Sequence, residues 1–155
     1  MPFSTELSLS KEKINFVKKI QEILIRKNQT LAILEHFTKG LLYHSLSQNE
    51  ERHLRGGMIC PNNASLYYSL NIPAQILLKE NQLQKGYLLA QKIRSRLSSN
   101  IGLATTGIKA KTYQELHVTI GTETEQSHKI FKLKDNNTII EATLGTLYFF
   151  LSTRL

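Results

Sequence analysis

Thr30-Leu31-Ala32-Ile33-Leu34-Glu35-His36-Phe37-Thr38-Lys39-Gly40 is the stretch that decides the fold. Thr30 to Leu34 is short and apolar, as a buried strand requires. The residues after it turn into an amphipathic helix carrying Leu41, Leu42, His44 and Leu46, with Thr38 as its expected cap. A strand-to-helix turn sets backbone N–H groups and one side chain at the mouth of a pocket, and such turns often host chemistry. The central side chain here is His36, where a serine or cysteine would be a nucleophile. The turn reads as a nucleophile-bearing one whose nucleophile is missing.

Working outward, the same alternation continues. From Ser10 to Asn28, Ile14, Val17, Ile20, Ile23 and Leu24 recur at helical spacing with lysines opposite, and Ser10 is placed to cap that helix. Gly56-Gly57-Met58-Ile59-Cys60 predicts a second strand, broken by Pro61, after which Pro61 or Asn62 begins a helix holding Leu66, Tyr67 and Leu70. Asn71-Ile72-Pro73 ends it. Leu83 to Leu97 is a further helix, and Ile101 to Thr106 a buried strand ending at Gly107, which is read as a positive-φ turn residue. Glu115 to Thr122 and His128 to Leu133 form a hairpin. Asp135-Asn136-Asn137 turns into a last helix whose Ile139, Ile140, Leu144, Leu147 and Leu151 face the core. Tyr148, Phe149 and Phe150 make that helix apolar most of the way round, so it is buried on several sides or meets another subunit. The expected architecture is a three-layer α/β/α domain with a mixed, mostly parallel sheet of about five strands. One domain spans residues 1–155, with residues 1–9 as a flexible N-terminal extension.

Composition bounds the rest. At 155 residues and 41% hydrophobic content the chain has enough apolar material for one core, which excludes a disordered protein. One cysteine, Cys60, excludes an internal disulfide and any cysteine-rich zinc site, and fits a reducing compartment. No apolar stretch is long enough to span a bilayer, and Met1 to Ser10 lacks the basic-then-apolar pattern of a signal peptide, so a cytoplasmic domain without membrane contact is expected. The net charge of +8 would permit salt-sensitive contact with nucleic acid, but no zinc-finger, basic-zipper or RNA-recognition motif supports it. His44, His53, His117 and His128 have no metal-ligand spacing, and no metal or cofactor is expected.

In its order of elements the chain resembles the CinA C-terminal domain family, the nicotinamide-nucleotide amidohydrolases, from Ile14 to Leu151. The family's Ala-Glu-Ser-Cys-Thr-Gly-Gly turn corresponds to Leu34-Glu35-His36-Phe37-Thr38-Lys39-Gly40. Its Gly-Phe-Val-Thr-Tyr-Ser-Asn-Glu-Ala-Lys segment corresponds to Gly56-Gly57-Met58-Ile59-Cys60-Pro61-Asn62-Asn63-Ala64-Ser65, and its Ser-Gly-Ile-Ala-Gly-Pro to Thr106-Gly107-Ile108-Lys109-Ala110-Lys111. The resemblance implies hydrolysis of the amide of nicotinamide mononucleotide to nicotinate mononucleotide and ammonia, without a metal, by a serine nucleophile helped by a tyrosine and a lysine. Those three positions hold His36, Cys60 and Ser65 in this chain. Because such groups act cooperatively, their replacement implies a silent relative.

The candidate ligand set is Glu35, Thr38, Lys39, Gly40, Asn62, Thr106 and Gly107 around a small nucleotide, with Lys39 standing where the family has a glycine, and the resemblance implies a homo-oligomer. Lys39, Lys109 and Lys111 could meet a phosphate near a helix N-terminus. The competing expectation for Thr38, Gly40 and Gly107 is a purely scaffold role. The alternative for function is an active amidohydrolase with a rearranged site, in which the imidazole of His36 activates the thiol of Cys60.

Overall fold

The computed structural model describes residues 11–48, 51–78, 81–134 and 137–154. The expected extension at 1–9, the Ser10 cap and the Asp135-Asn136 turn lie outside the described residues. The elements, in chain order, are α1 (Lys11–Lys27), β1 (Leu31–Glu35), α2 (Leu41–Leu46), β2 (Leu54–Ile59), α3 (Asn63–Leu70), α4 (Ala74–Leu78), α5 (Gln82–Arg96), β3 (Ile101–Lys109), β4 (Gln114–Gly121), β5 (Gln126–Leu133) and α6 (Asn137–Ser152).

The five strands form one sheet in the order β2-β1-β3-β4-β5. Every residue of β1 is buried, as its apolar run requires of a strand covered on both faces. Strand alternation divides its side chains between two cores. Leu31 and Ile33 join Val17, Ile20 and Leu24 of α1, Leu42 and Leu46 of α2, and Leu144 and Leu147 of α6. Ala32 and Leu34 join Leu66 and Leu70 of α3, Leu77 of α4, and Leu89, Ala90 and Ile93 of α5. The three-layer α/β/α architecture is therefore present. The last helix is buried on several sides: it packs on the sheet, on α1 and on α2.

The sheet is not mostly parallel. β1 pairs in parallel with β2 and with β3, whereas β3–β4 and β4–β5 are antiparallel. The expectation failed because β3 does not stop at Thr106. It runs through Gly107 to Lys109 and turns back directly into β4, closed by Ala110 N–H donating to Tyr113 O. Gly107 has no positive φ; it sits in the ladder because a Cβ there would lie 2.4 Å from Glu115 O and 2.7 Å from the Phe37 ring. Helix α4 was not anticipated. It forms after Pro73, whose carbonyl accepts from the N–H groups of Ile76 and Leu77.

Small residues set how closely α5 lies on the sheet. A Cβ at Gly102 would stand 2.0 Å from Ala90 O, so backbone meets backbone there. Gly145, within α6, would direct a Cβ to ordinary contact at 3.7 Å from Phe16. Gly102→Ala is expected to destabilise the fold by about 1–3 kcal/mol through overpacking, and Gly145→Ala to stabilise it by about 0.5–1 kcal/mol. Urea denaturation midpoints of the two variants should therefore move in opposite directions.

Candidate functional site

The end of β1 is organised by a buried carboxylate. Glu35 is 1% exposed, and its Oε1 accepts from Thr38 Oγ1 at 2.5 Å and Leu42 N at 2.8 Å, while Oε2 accepts from Tyr43 N at 3.1 Å. Those backbone N–H groups belong to the first turn of α2, which has no intrahelical acceptor for them. Glu35 thus serves as the helix cap from the preceding strand. The N-cap position itself is Gly40, at φ 89, without a side-chain bond. Thr38 is not the side-chain cap expected of it; its hydroxyl bridges Glu35 and Thr105 Oγ1, the latter at 2.8 Å. With Leu41 N–H donating to Thr38 O as well, the start of α2 has its donors satisfied internally rather than by a phosphate.

His36 and Cys60 do meet, but not through the thiol. His36 Nδ1 lies 2.5 Å from the carbonyl oxygen of Cys60, and a carbonyl only accepts, so Nδ1 carries a proton and donates. The Cys60 side chain is 1% exposed. Burial pushes its thiol pKa above the ordinary value, against the opposing pull of hydrogen bonds with Ser69 and Ser65. This is the environment of an inert structural cysteine. Asn62 and Ser65 form a reciprocal cap on α3: Asn62 Oδ1 accepts from Ser65 N at 2.9 Å, and Ser65 Oγ accepts from Asn62 N at 3.3 Å.

The turn sends its later side chains elsewhere. Phe37, Thr38 and Lys39 line a cleft of about 370 Å³ together with Leu41, Lys109, Ala110, Gln114, Ile139 and Ile140. The Lys39 and Lys109 ammonium groups are near one another, and Lys39 lowers the pKa of Lys109. Lys39 holds a left-handed conformation, φ 56, where an L side chain costs about 1–2 kcal/mol. Glu35 and Gly40 border a separate depression with Tyr43, His44, Met58 and Ile59. Thr106 is fully buried, its hydroxyl without a hydrogen-bond partner among the described residues, and neither it nor Gly107, Asn62 or Lys111 lines the lysine cleft. The expected ligand residues are therefore divided among several places. A larger hollow of about 740 Å³, missed from the sequence, is lined by Tyr67, Tyr68, Pro73 and Leu77 between α3 and α4. Two adjacent tyrosines on a helix that needs only Leu66 and Leu70 for its core were the available signal.

No group of three His, Cys, Asp or Glu among the described residues is arranged to hold a metal ion, and no described helix is long and apolar enough to cross a membrane. Against this geometry, the family model of the CinA C-terminal domain matches residues 13–133. The chain belongs to the CinA C-terminal domain family. A Bacillus cereus (strain G9842) protein carrying a competence-damage inducible name is 31% identical over 91 residues, which is 56% of this chain and 22% of that relative. The CinA domain here thus spans about a fifth of the length of the curated relatives it matches. Among solved structures, the competence/damage inducible protein CihA from Agrobacterium tumefaciens superposes with a TM-score of 0.75 at 16% identity, covering 94% of this chain and 96% of that one. A CinA superfamily protein from Klebsiella pneumoniae 700603 gives 0.77 at 12% identity, covering 92% and 99%. These likenesses establish a shared CinA fold.

Two measurements follow from the geometry of this CinA domain. Cys60 should react with iodoacetamide at least about tenfold more slowly than an exposed thiol, and His36→Ala should not slow it further. Lys39→Gly should raise stability by about 0.5–1 kcal/mol in urea denaturation, since glycine adopts positive φ without the Cβ penalty.

Proposed function

We propose that this domain is a catalytically silent CinA relative that keeps a small nucleotide-binding cleft. The observation that carries the reading is His36: it stands where the resembled family places its serine, and its Nδ1–H is engaged by the Cys60 carbonyl. Serine hydrolysis of an amide needs a deprotonatable hydroxyl beside a base and donors for the oxyanion. At the other two positions stand a buried thiol and a serine engaged in a helix cap, which supports the same conclusion.

The binding half rests on the cleft beside Phe37. Lys39 and Lys109 bring two positive charges together, and a phosphate placed between them would relieve their repulsion with charge-assisted hydrogen bonds. The Phe37 ring in the same lining offers an apolar face to a base. A cytoplasmic homo-oligomer belongs to the same proposal, with Phe149, 62% exposed on α6, as a side chain that a second copy would cover.

Nicotinamide mononucleotide titrated into the purified protein, with heat of binding and ammonia followed on one sample, tests both halves. The expected result is saturable binding at one site per chain, without ammonia, weakened about tenfold by Lys39→Ala, or about 1.4 kcal/mol. Ammonia released at a turnover rate would overturn the silent reading in favour of a rearranged site at His36 and Cys60. Absence of any binding heat would overturn the nucleotide reading.

A further inference from the structure

Away from these clefts, the β4–β5 hairpin joins four side chains in one hydrogen-bonded chain. Glu115, His117 and Thr119 alternate along β4 and so share one face, and the register sets His128 opposite Thr119. Glu115 Oε1 lies 2.7 Å from His117 Nε2, His117 Nδ1 lies 2.9 Å from His128 Nε2, and His128 Nδ1 lies 2.8 Å from Thr119 Oγ1. His117 is 4% exposed and Thr119 fully buried. Helix α5 closes over the chain at Gly86, where a Cβ would stand 2.1 Å from Thr119 Oγ1 and 3.5 Å from His128 Nδ1. The chain ends at Thr119. Among the described residues Thr106, opposite His117 in the register, has no partner for its hydroxyl, and none of them carries the chain on toward His36.

Counting hydrogens gives the chain a defined capacity. An ionised carboxylate only accepts, so His117 Nε2 carries a hydrogen. With both rings neutral, His128 Nε2–H donates to His117 Nδ1 and the Thr119 hydroxyl donates to His128 Nδ1. One added proton is accommodated by rotating the Thr119 hydroxyl so that it accepts. A second added proton is not, because both nitrogens of the ring–ring contact then bear hydrogens. N–H faces N–H at 2.9 Å, and two cations sit with ring centroids 5.0 Å apart.

Among the described residues, the other charged and titratable groups near the chain come from two elements. From α5, Tyr87 stands edge-on to His128 at 6.0 Å, while the Nζ of nearby Lys85 donates to Asn63 Oδ1; from β5, Lys132 stands opposite Glu115 with its ammonium over the Tyr113 ring. β3 contributes only the neutral Thr106. Among the described residues Glu115 is the one negative group in this hydrogen-bonded chain, and one carboxylate cannot offset two charged imidazoles. The strand that would move is β5, an edge strand paired only with β4, so its release need not disturb the central strands.

We propose that Glu115, His117, His128 and Thr119 form a proton-operated latch, closed while the two rings share a single N–H between them and opened, with loosening of β5, when both rings are charged. Burial first, and the neighbouring His117 second, hold the pKa of His128 below its ordinary value of 6.5. The folded protein then binds fewer protons at His128 than the unfolded chain. The stability that His128 contributes is present above the ordinary histidine range and is lost as pH falls through it toward the lower folded value; a first proton leaves the latch closed, and a second opens it.

Hydrogen exchange of the unmodified protein, expressed as protection factors to remove the intrinsic pH dependence, tests this between about pH 7.5 and about pH 5, with imidazole ¹⁵N shifts of both rings recorded in parallel. The expected result is a fall of about tenfold or more in protection along β5 as both rings charge, while β1 and β3 keep theirs. His128→Gln, which keeps a hydrogen-bonding amide but takes no proton, should remove the acid step. Unchanged β5 protection while both rings charge, a uniform loss across the whole sheet, or an acid step that persists in folded His128→Gln would each overturn the latch. Were that variant not to fold, the exchange and ring shifts of the unmodified protein decide alone.

Discussion

The buried carboxylate of Glu35 is the constraint on which the turn, and through it the site, depends. An ionised side chain that is 1% exposed persists only with its oxygens hydrogen-bonded, because an unpaired buried charge costs several kcal/mol. Three donors meet that demand, two of them the orphan N–H groups that begin α2. The same residue's backbone carbonyl accepts from Cys60 N–H, and Thr38 passes the contact on to Thr105. One residue therefore ties β1 to β2, to α2 and to β3. Hydrogen bonds to a charged group contribute about 1.5–3 kcal/mol each, so this knot is among the stronger local interactions in the chain.

That knot fixes which way the neighbouring side chains go. Beyond the end of β1, His36 turns back to the Cys60 carbonyl, whereas Phe37, Thr38 and Lys39 turn toward Ile139 and Ile140 of α6. Residues adjacent in the sequence thus serve opposite sides of the sheet. Thr38 and Lys39 therefore share a cleft, while Asn62, Thr106 and Gly107 stand apart from it.

Much of the fold was legible because burial leaves a period in the sequence. Val17, Ile20, Ile23 and Leu24 recur at helical spacing and are all buried, and Leu31 to Leu34 form an unbroken apolar run in the interior strand β1. Strand direction leaves no such period. Ala110 to Tyr113 is a short connection that only an antiparallel pair can use, and reading Gly107 as a turn residue hid it. Glycine alone does not distinguish a positive φ from a close approach: Gly40 is the first kind, Gly102 and Gly107 the second. Lys39 was invisible for the converse reason, since nothing in a lysine announces a left-handed backbone. His117 and His128 looked scattered because they are eleven residues apart, and only the register of β4 on β5 makes their rings partners.

The polar groups around the end of β1 have a common character. The Glu35 carboxylate holds a helix, the Asn62 and Ser65 side chains cap another, His36 grips a carbonyl, and the Cys60 thiol is enclosed. Acid–base and nucleophilic groups work by changing partners during a reaction, so a group whose present partner maintains the fold changes partner only at the expense of that fold. The lysine cleft differs in this respect. Lys39 and Lys109 face one another as like charges, an arrangement that an incoming anion improves rather than disrupts. Binding and catalysis make opposite demands on side-chain commitment.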